Sequence, residues 1–251
     1  MRVDLIPEES SSSGDAFSDS ILALSDSDTS NTTFRCVKIK IVAVSLDIAT
    51  CSTNEGETLL LPISEYFIGD SWSIGEELNA VRYSENGGVW LSTTRPELVS
   101  LLAEGIIPEL RQGQIRIMGI ARIPGVRTKI AVASTKSLNP DADPVAVMVG
   151  KSANRIRFLS QLLANERLDI VAWSPNPEVY LKNALAPAKV LQVQLTSPDP
   201  QALGPDNKTS YEVTVAQHLM AAAVGHHGLN TKLASILLNA DVVVKSNIPV
   251  S

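Results

Sequence analysis

Between Val37 and Leu46 the stretch VKIKIVAVSL alternates apolar and polar side chains with a two-residue period, as expected of a strand with one buried face. DIATCS at 47–52 continues the strand pattern, TLLLPIS at 58–64 is a short apolar run stopped by Pro62, and ELNAVRY at 77–83 and GVWLST at 88–93 predict further strands. The turn signals TNEG, IGD and ENGG separate these runs at short spacing. Together they predict a small all-β barrel of about five strands ending near Thr94. RPELVSLLAEGIIPEL at 95–110 then predicts a helical connector.

The texture changes again at QIRIMGIARIPGVRTKIAVAS, residues 114–134, which predicts two strands joined by a turn at Pro124-Gly125. DPVAVMVG predicts a short helix, and NRIRFLSQLLANE predicts a second one with Ile156, Leu159, Leu162 and Leu163 on one face. RLDIVAW closes the series as a strand, and NPEVYLKNALA follows as a helix. The same order then returns in shorter form: strands in KVLQVQLTS and SYEVTVA, helices in HLMAAAVG and GLNTKLASILL, and a strand in DVVVKS. Aligned at their helix junctions the copies read VMVGKSANRIRFLSQLL and AAAVGHHGLNTKLASILL, so the chain carries a duplicated β-β-α-α-β unit. The second helices are expected to place Leu159, Leu162, Leu233, Ile236 and Leu237 in the core.

At the junction of the second copy, Gly225-His226-His227-Gly228 puts glycine at both ends of a two-residue loop. Glycine removes the Cβ and admits left-handed backbone, so a sugar-phosphate chain can lie against the loop. The helix that follows offers free amides and the positive end of its dipole to phosphates. This is the mechanism of a KH domain, which clamps about four nucleotides of a single strand. Asn230 and Lys232, at the start of the next helix, complete the candidate RNA-binding set of this copy. In the first copy Gly150, Lys151, Ser152 and Arg155 form a weaker clamp, because Ala153 stands where the second glycine is expected. The adjacent histidines lack the i, i+4 spacing of a helical metal site, so neither a metal nor a cofactor is expected. No nucleophile elbow, Walker loop or HExxH motif occurs, so no catalytic residue is assigned and the chain is not expected to be an enzyme.

Charge sharpens this picture. Residues 1–31 hold one basic against seven acidic side chains, 32–110 five against eleven, and 111–251 fifteen against nine. A basic carboxyl-terminal unit behind an acidic front points to a polyanionic partner. Arg122, Arg127, Lys129, Arg157, Lys189 and Lys232 are read as solvated charges that together make the positive field. Residues 1–32, rich in Ser and Asp, are expected to be a disordered acidic tail. Two cysteines exclude a disulfide framework, and Cys36 and Cys51 are expected to be reduced packing thiols. With no run of eighteen apolar residues and no signal peptide, the expectation is a cytoplasmic protein without membrane or small-molecule partners.

DPVAVMVG, NRIRFLSQLLANERLDIVAWSPNPEVYLKNALAPAKV and VGHHGLNTKLAS resemble the tandem KH region of the bacterial transcription elongation factor NusA. LLLPISE, IGDSWSIGEEL and LSTTRPELVSLLAEGIIPEL resemble the ribosomal-protein-S-one-type OB-fold that precedes it in that family. The likeness spans roughly 34–246 and is densest over Arg116–Ser134 and Asp143–Val190. It implies an α+β array, an OB-type barrel at 33–105 followed by two type II KH domains at 106–188 and 189–251. It also implies binding of nascent single-stranded RNA at the exit of RNA polymerase, with effects on elongation, pausing, termination or antitermination. The family's usual polymerase-binding domain is expected to be missing, since only the acidic tail precedes the barrel; direct polymerase contact is left open. The alternatives are an RNA-binding module of ribosome assembly or RNA decay, and a protein-interaction adaptor with degenerate KH surfaces.

Overall fold

The computed structural model describes residues 33–66, 73–85, 87–137, 142–196 and 209–247. The acidic segment 1–32 and Trp72 lie outside the described residues. Strands β1 (Arg35–Val44), β2 (Ile48–Thr53), β3 (Thr58–Pro62), β4 (Glu77–Glu85) and β5 (Gly88–Ser92) form a closed barrel in the order β1-β2-β3-β5-β4. The period-two pattern sends Val37, Ile39 and Ile41 inward, where they meet Ala49, Cys51, Leu61, Ala80 and Leu91. Closure between β3 and β5 uses one parallel pair, Leu60 with Trp90. The Glu65 carboxylate fastens the same seam, accepting from Ser92 Oγ at 2.6 Å and Thr94 Oγ1 at 2.8 Å. Cys36 and Cys51 are free and buried, and burial pushes their thiols up to about 12 and about 11. Both are packing groups, since the reactive species is the thiolate.

Helix α1 (Glu97–Ile106) and the short α2 (Pro108–Arg111) form the predicted connector. Leu98, Leu101, Leu102 and Ile106 of α1 join one core that also takes Tyr83 of the barrel and Ile130, Met148 and Leu159 of the next unit. That unit consists of β6 (Ile115–Ile123), β7 (Arg127–Ser134), α3 (Pro144–Val149), α4 (Asn154–Leu162) and β8 (Arg167–Ala172). Its sheet runs β6-β7-β8, with β7 antiparallel to β6 and parallel to β8. After helix α5 (Pro177–Ala184), the second unit repeats the plan: β9 (Val190–Thr196), β10 (Thr209–Ala216), α6 (Met220–Val224), α7 (Leu229–Leu238) and β11 (Ala240–Asn247). Its sheet runs β11-β10-β9, with β10 antiparallel to β9 and parallel to β11. Fold class α+β, a five-stranded barrel followed by two KH units, is thus the architecture.

Consecutive residues of β7 serve different cores. Ile130 and Val132 face the first unit's helices, whereas Ala131 faces a core built from α5, α7 and the second sheet. The second unit therefore stacks on the outer face of the first unit's sheet. Gly119 of β6 marks the close approach, because a Cβ there would lie 3.4 Å from Leu237 Cδ1.

Stacking corrects two expectations. Ile236 is 47% exposed and lies outside the core that buries Leu233. The basic residues divide as well: Arg122 is buried against Glu166 at 3.0 Å, and Lys129 is buried with its ammonium 3.2 Å from Asp169. Arg127 contacts the same Asp169 at 2.5 Å. Burial pushes the Lys129 pKa down, opposed by Asp169. These three side chains were read as solvated charges, but they are internal struts; the accessible positive charge rests on residues such as Lys151, Arg157, Lys189 and Lys232.

Candidate nucleic-acid interface

Both helix junctions are built on the same backbone path. Helix α3 starts at a Pro with Asp143 as N-cap, its Oδ1 accepting from Val145 N at 3.0 Å, and it stops at Gly150 with φ 77°, ψ 168°. Helix α6 stops at Gly225 with φ 75°, ψ 172°. A single 3₁₀ turn follows each: Lys151–Ala153 and His226–Gly228. Ser152 sits at φ 50°, ψ 31° and His227 at φ 50°, ψ 30°. The turns then enter α4 and α7 through Ala153 at φ 58°, ψ 27° and Gly228 at φ 74°, ψ 8°. Neither N-cap residue, Ala153 or Gly228, caps its helix with a side chain, although Asn154 Oδ1 accepts from Arg155 N at 2.9 Å in the first turn of α4.

The leading glycine of each loop is dictated by a neighbour from the following helix. A Cβ on Gly225 would come 2.7 Å from Asn230 Cβ and 2.8 Å from Asn230 N. On Gly150 it would meet Asn154 Oδ1 at 2.5 Å and Arg155 Cγ at 2.7 Å. Arg155 and Asn230 occupy equivalent positions, and both reach back to carbonyls at the end of the preceding helix. Arg155 Nη1 donates to Val147 O at 2.7 Å, while Asn230 Nδ2 donates to Ala223 O at 3.1 Å and Leu185 O at 3.2 Å. Such donors satisfy carbonyls that a terminating helix leaves open.

The sequence places Asn230 among the expected RNA contacts; the structure buries it, 1% exposed, and uses it as a loop support. Arg155 is likewise engaged, bonded to Val147 and 3.0 Å from the Glu109 carboxylate. Its charge is matched by Glu109 rather than free for a phosphate. Lys151, Ser152, His226, His227 and Lys232 are exposed, and nothing lies within 4 Å of where a Cβ on Gly228 would stand. The loop surface is thus open over the second glycine and closed under the first.

Arg157 is expected from the sequence only as a solvated charge. It is exposed, and its Nη2 donates to Ser152 O at 2.7 Å, which holds a guanidinium beside the first loop. The repeat alignment contained the signal, because Arg157 is the counterpart of Lys232. Among the described residues no group of three His, Cys, Asp or Glu is placed to hold a metal, and no helix is long and apolar enough to cross a membrane.

Ala153 shows that the loop path survives loss of the second glycine, at the expense of left-handed backbone on an L-residue. The cost is roughly 1–2 kcal/mol, partly offset because glycine loses more entropy on folding. Ala153→Gly is therefore expected to stabilise the chain by about 0.5–1 kcal/mol, read as a higher urea midpoint at unchanged slope.

Residues 93–173 match the NusA-like first KH domain, and residues 177–250 match the NusA-like second KH domain. Among curated proteins, the chain is 35% identical over 187 residues to the transcription termination/antitermination protein NusA of Thermus thermophilus, covering 72% of this chain and 45% of that one. It is 31% identical over 192 residues to the NusA of Halalkalibacterium halodurans, covering 74% and 47%, and 29% identical over 192 residues to that of Bacillus subtilis, covering 74% and 48%. The chain spans about half the length of the curated relatives it matches. Two consecutive matches to the family's paired KH domains, on units that fold as the expected tandem, identify the chain as a member of the NusA family.

Proposed function

We propose that this chain is a single-stranded RNA-binding factor that modulates transcription elongation, pausing, termination or antitermination, with the nascent transcript as its ligand and RNA polymerase as a partner. The observation that supports it is the pair of matched loop backbones, each leading into a helix whose N-cap residue makes no side-chain cap and each flanked by exposed cations. Gly225, His226, His227 and Gly228 make the main clamp, with Lys232 beside it. Gly150, Lys151 and Ser152, with Arg157, make the second. Gly228 leaves open space for the strand, Gly150 and Gly225 let each loop close onto the helix that follows, and Asn230 and Arg155 hold the loops from behind. The function needs no chemical step; backbone amides and surface charge do the binding, in the cytoplasm where transcription occurs.

The test is a filter-binding titration of the whole chain on single-stranded RNA over a series of salt concentrations. Affinity is expected to fall with a log–log slope of about −0.7 for each phosphate neutralised. Replacing both His226 and His227 by Asp should cut affinity at least tenfold while circular dichroism is unchanged, since carboxylates would face the phosphates. Undiminished binding by that folded variant would move the ligand off this loop. Co-purification with transcribing polymerase then separates a transcription factor from an RNA binder acting elsewhere.

A further inference from the structure

A cavity of about 230 Å³ lies where the two KH units meet, walled by Trp173, Tyr180, Tyr211, Pro175 and Pro177, with Asn239 among its lining residues. We propose that it is a pocket for one nucleobase of the bound strand, a site that rests on the RNA-binding reading above.

Topology places the cavity on the route between the loops. β8 and β11 are edge strands of their sheets, and each follows directly on the helix that leaves a loop. Trp173 is the first residue after β8, and Asn239 is the last before β11. The end of one unit's edge strand therefore meets the start of the other's at this cavity. α7, ten residues long, separates Asn239 from the second loop by about 15 Å at 1.5 Å per residue. In the first unit, β8 turns back from the far end of α4, so its terminus and Trp173 lie toward the end of the unit where α4 begins. A strand that leaves one loop for the other passes the pocket.

Chemistry selects the occupant. Among the described residues no charged side chain lines the cavity, which disfavours a phosphate or a cation. The aromatic rings and prolines offer flat apolar walls to a planar ring, and stacking on such walls tolerates any base. Trp173 and Tyr211 are half-buried, so each keeps part of its surface open, while Tyr180 is 7% exposed and forms the floor. The exposed Asn239 supplies an amide able to donate to and accept from a base edge.

The probe is a single-stranded RNA oligomer long enough to reach both loops, compared with one of about four nucleotides that fills a single clamp. Two variants are compared, each checked for folding by circular dichroism: Trp173→Leu removes the indole while keeping an apolar side chain, and Asn239→Gly suits the left-handed backbone at φ 50°. Trp173→Leu is expected to weaken the long oligomer about tenfold, with the short one and the salt slope unchanged, because no phosphate contact is lost. Asn239→Gly should weaken it by a smaller factor. In a chain with Trp72 and Trp90 changed to Phe, Trp173 emission should be quenched by the long oligomer alone. Equal affinity of all variants for the long oligomer, or unchanged emission, overturns the pocket while leaving the clamps standing. Failure of the wild-type chain to bind either oligomer overturns the RNA reading, and the pocket with it.

Discussion

Gly225→Ala is expected to abolish RNA binding at the second loop and to cost the chain several kcal/mol, whereas Gly150→Ala, at nearly the same backbone angles, should be milder. Both glycines combine φ near 75° with extended ψ, a region that L-residues avoid at a cost of order 1–3 kcal/mol. The difference lies in what the new methyl meets. At Gly225 it strikes the Asn230 backbone nitrogen at 2.8 Å, and Asn230 is anchored by hydrogen bonds to Leu185 and Ala223. That neighbour cannot retreat without unseating the first turn of α7. At Gly150 the contacts are side-chain atoms of Asn154 and Arg155, which can give way without moving backbone, at the loss of the Asn154 bond to Arg155 N and the Arg155 bond to Val147 O. Gly228→Ala should be mildest, about 1 kcal/mol, since the space there is open and Ala153 already occupies the equivalent site. Urea unfolding beside RNA titration gives the order Gly225, Gly150, Gly228; an inverted order would show that the close contact with Asn230 does not govern the loop.

Much of this arrangement could be read from the residues. The strands and helices expected in the two repeats form, because period two and period 3.6 leave different marks even on short runs, although the helix expected over 154–166 ends at Leu162 and passes into left-handed backbone at Ala164 and Asn165. The loop glycines were legible too, since their spacing relative to two short helices recurs in both copies. Direction and depth of individual side chains were not. Asn230 and Lys232 lie two residues apart at the start of α7, yet one is 1% exposed and the other faces solvent. A helical turn rotates such a pair by about half a circle, and only the position of the preceding helix decides which one turns inward. The same holds for Lys129, which alternates with Ile130 in β7; a strand covered on both faces buries its charge as well. Charge counting treated Arg122 and Lys129 as field, and the structure spends both on internal pairs.

Glu166→Ala is expected to be the most damaging single change to the fold, about 3–5 kcal/mol, because it strands a buried guanidinium. Glu166 is 0% exposed, and its carboxylate receives Arg122 Nε at 3.1 Å, Arg122 Nη2 at 3.0 Å, Gly125 N at 2.8 Å and the Thr128 hydroxyl. The remaining guanidinium nitrogen, Nη1, donates to Arg95 O at 2.9 Å, at the point where the barrel hands over to α1. Arg95 in turn stacks 3.9 Å over the Tyr83 ring of β4. One carboxylate thus fixes the β6–β7 hairpin, the turn before β8 and the joint to the barrel. Removing it leaves Arg122 charged and desolvated, against a total stability that for such domains is only about 5–15 kcal/mol. Arg122→Leu paired with Glu166→Leu should regain most of the loss, since replacing both buried charges removes the desolvation term along with the attraction. Thermal unfolding of the three variants tests the account: a double variant no better than Glu166→Ala would mean that the hydrogen bonds to Gly125 and Thr128, rather than the stranded charge, hold this junction.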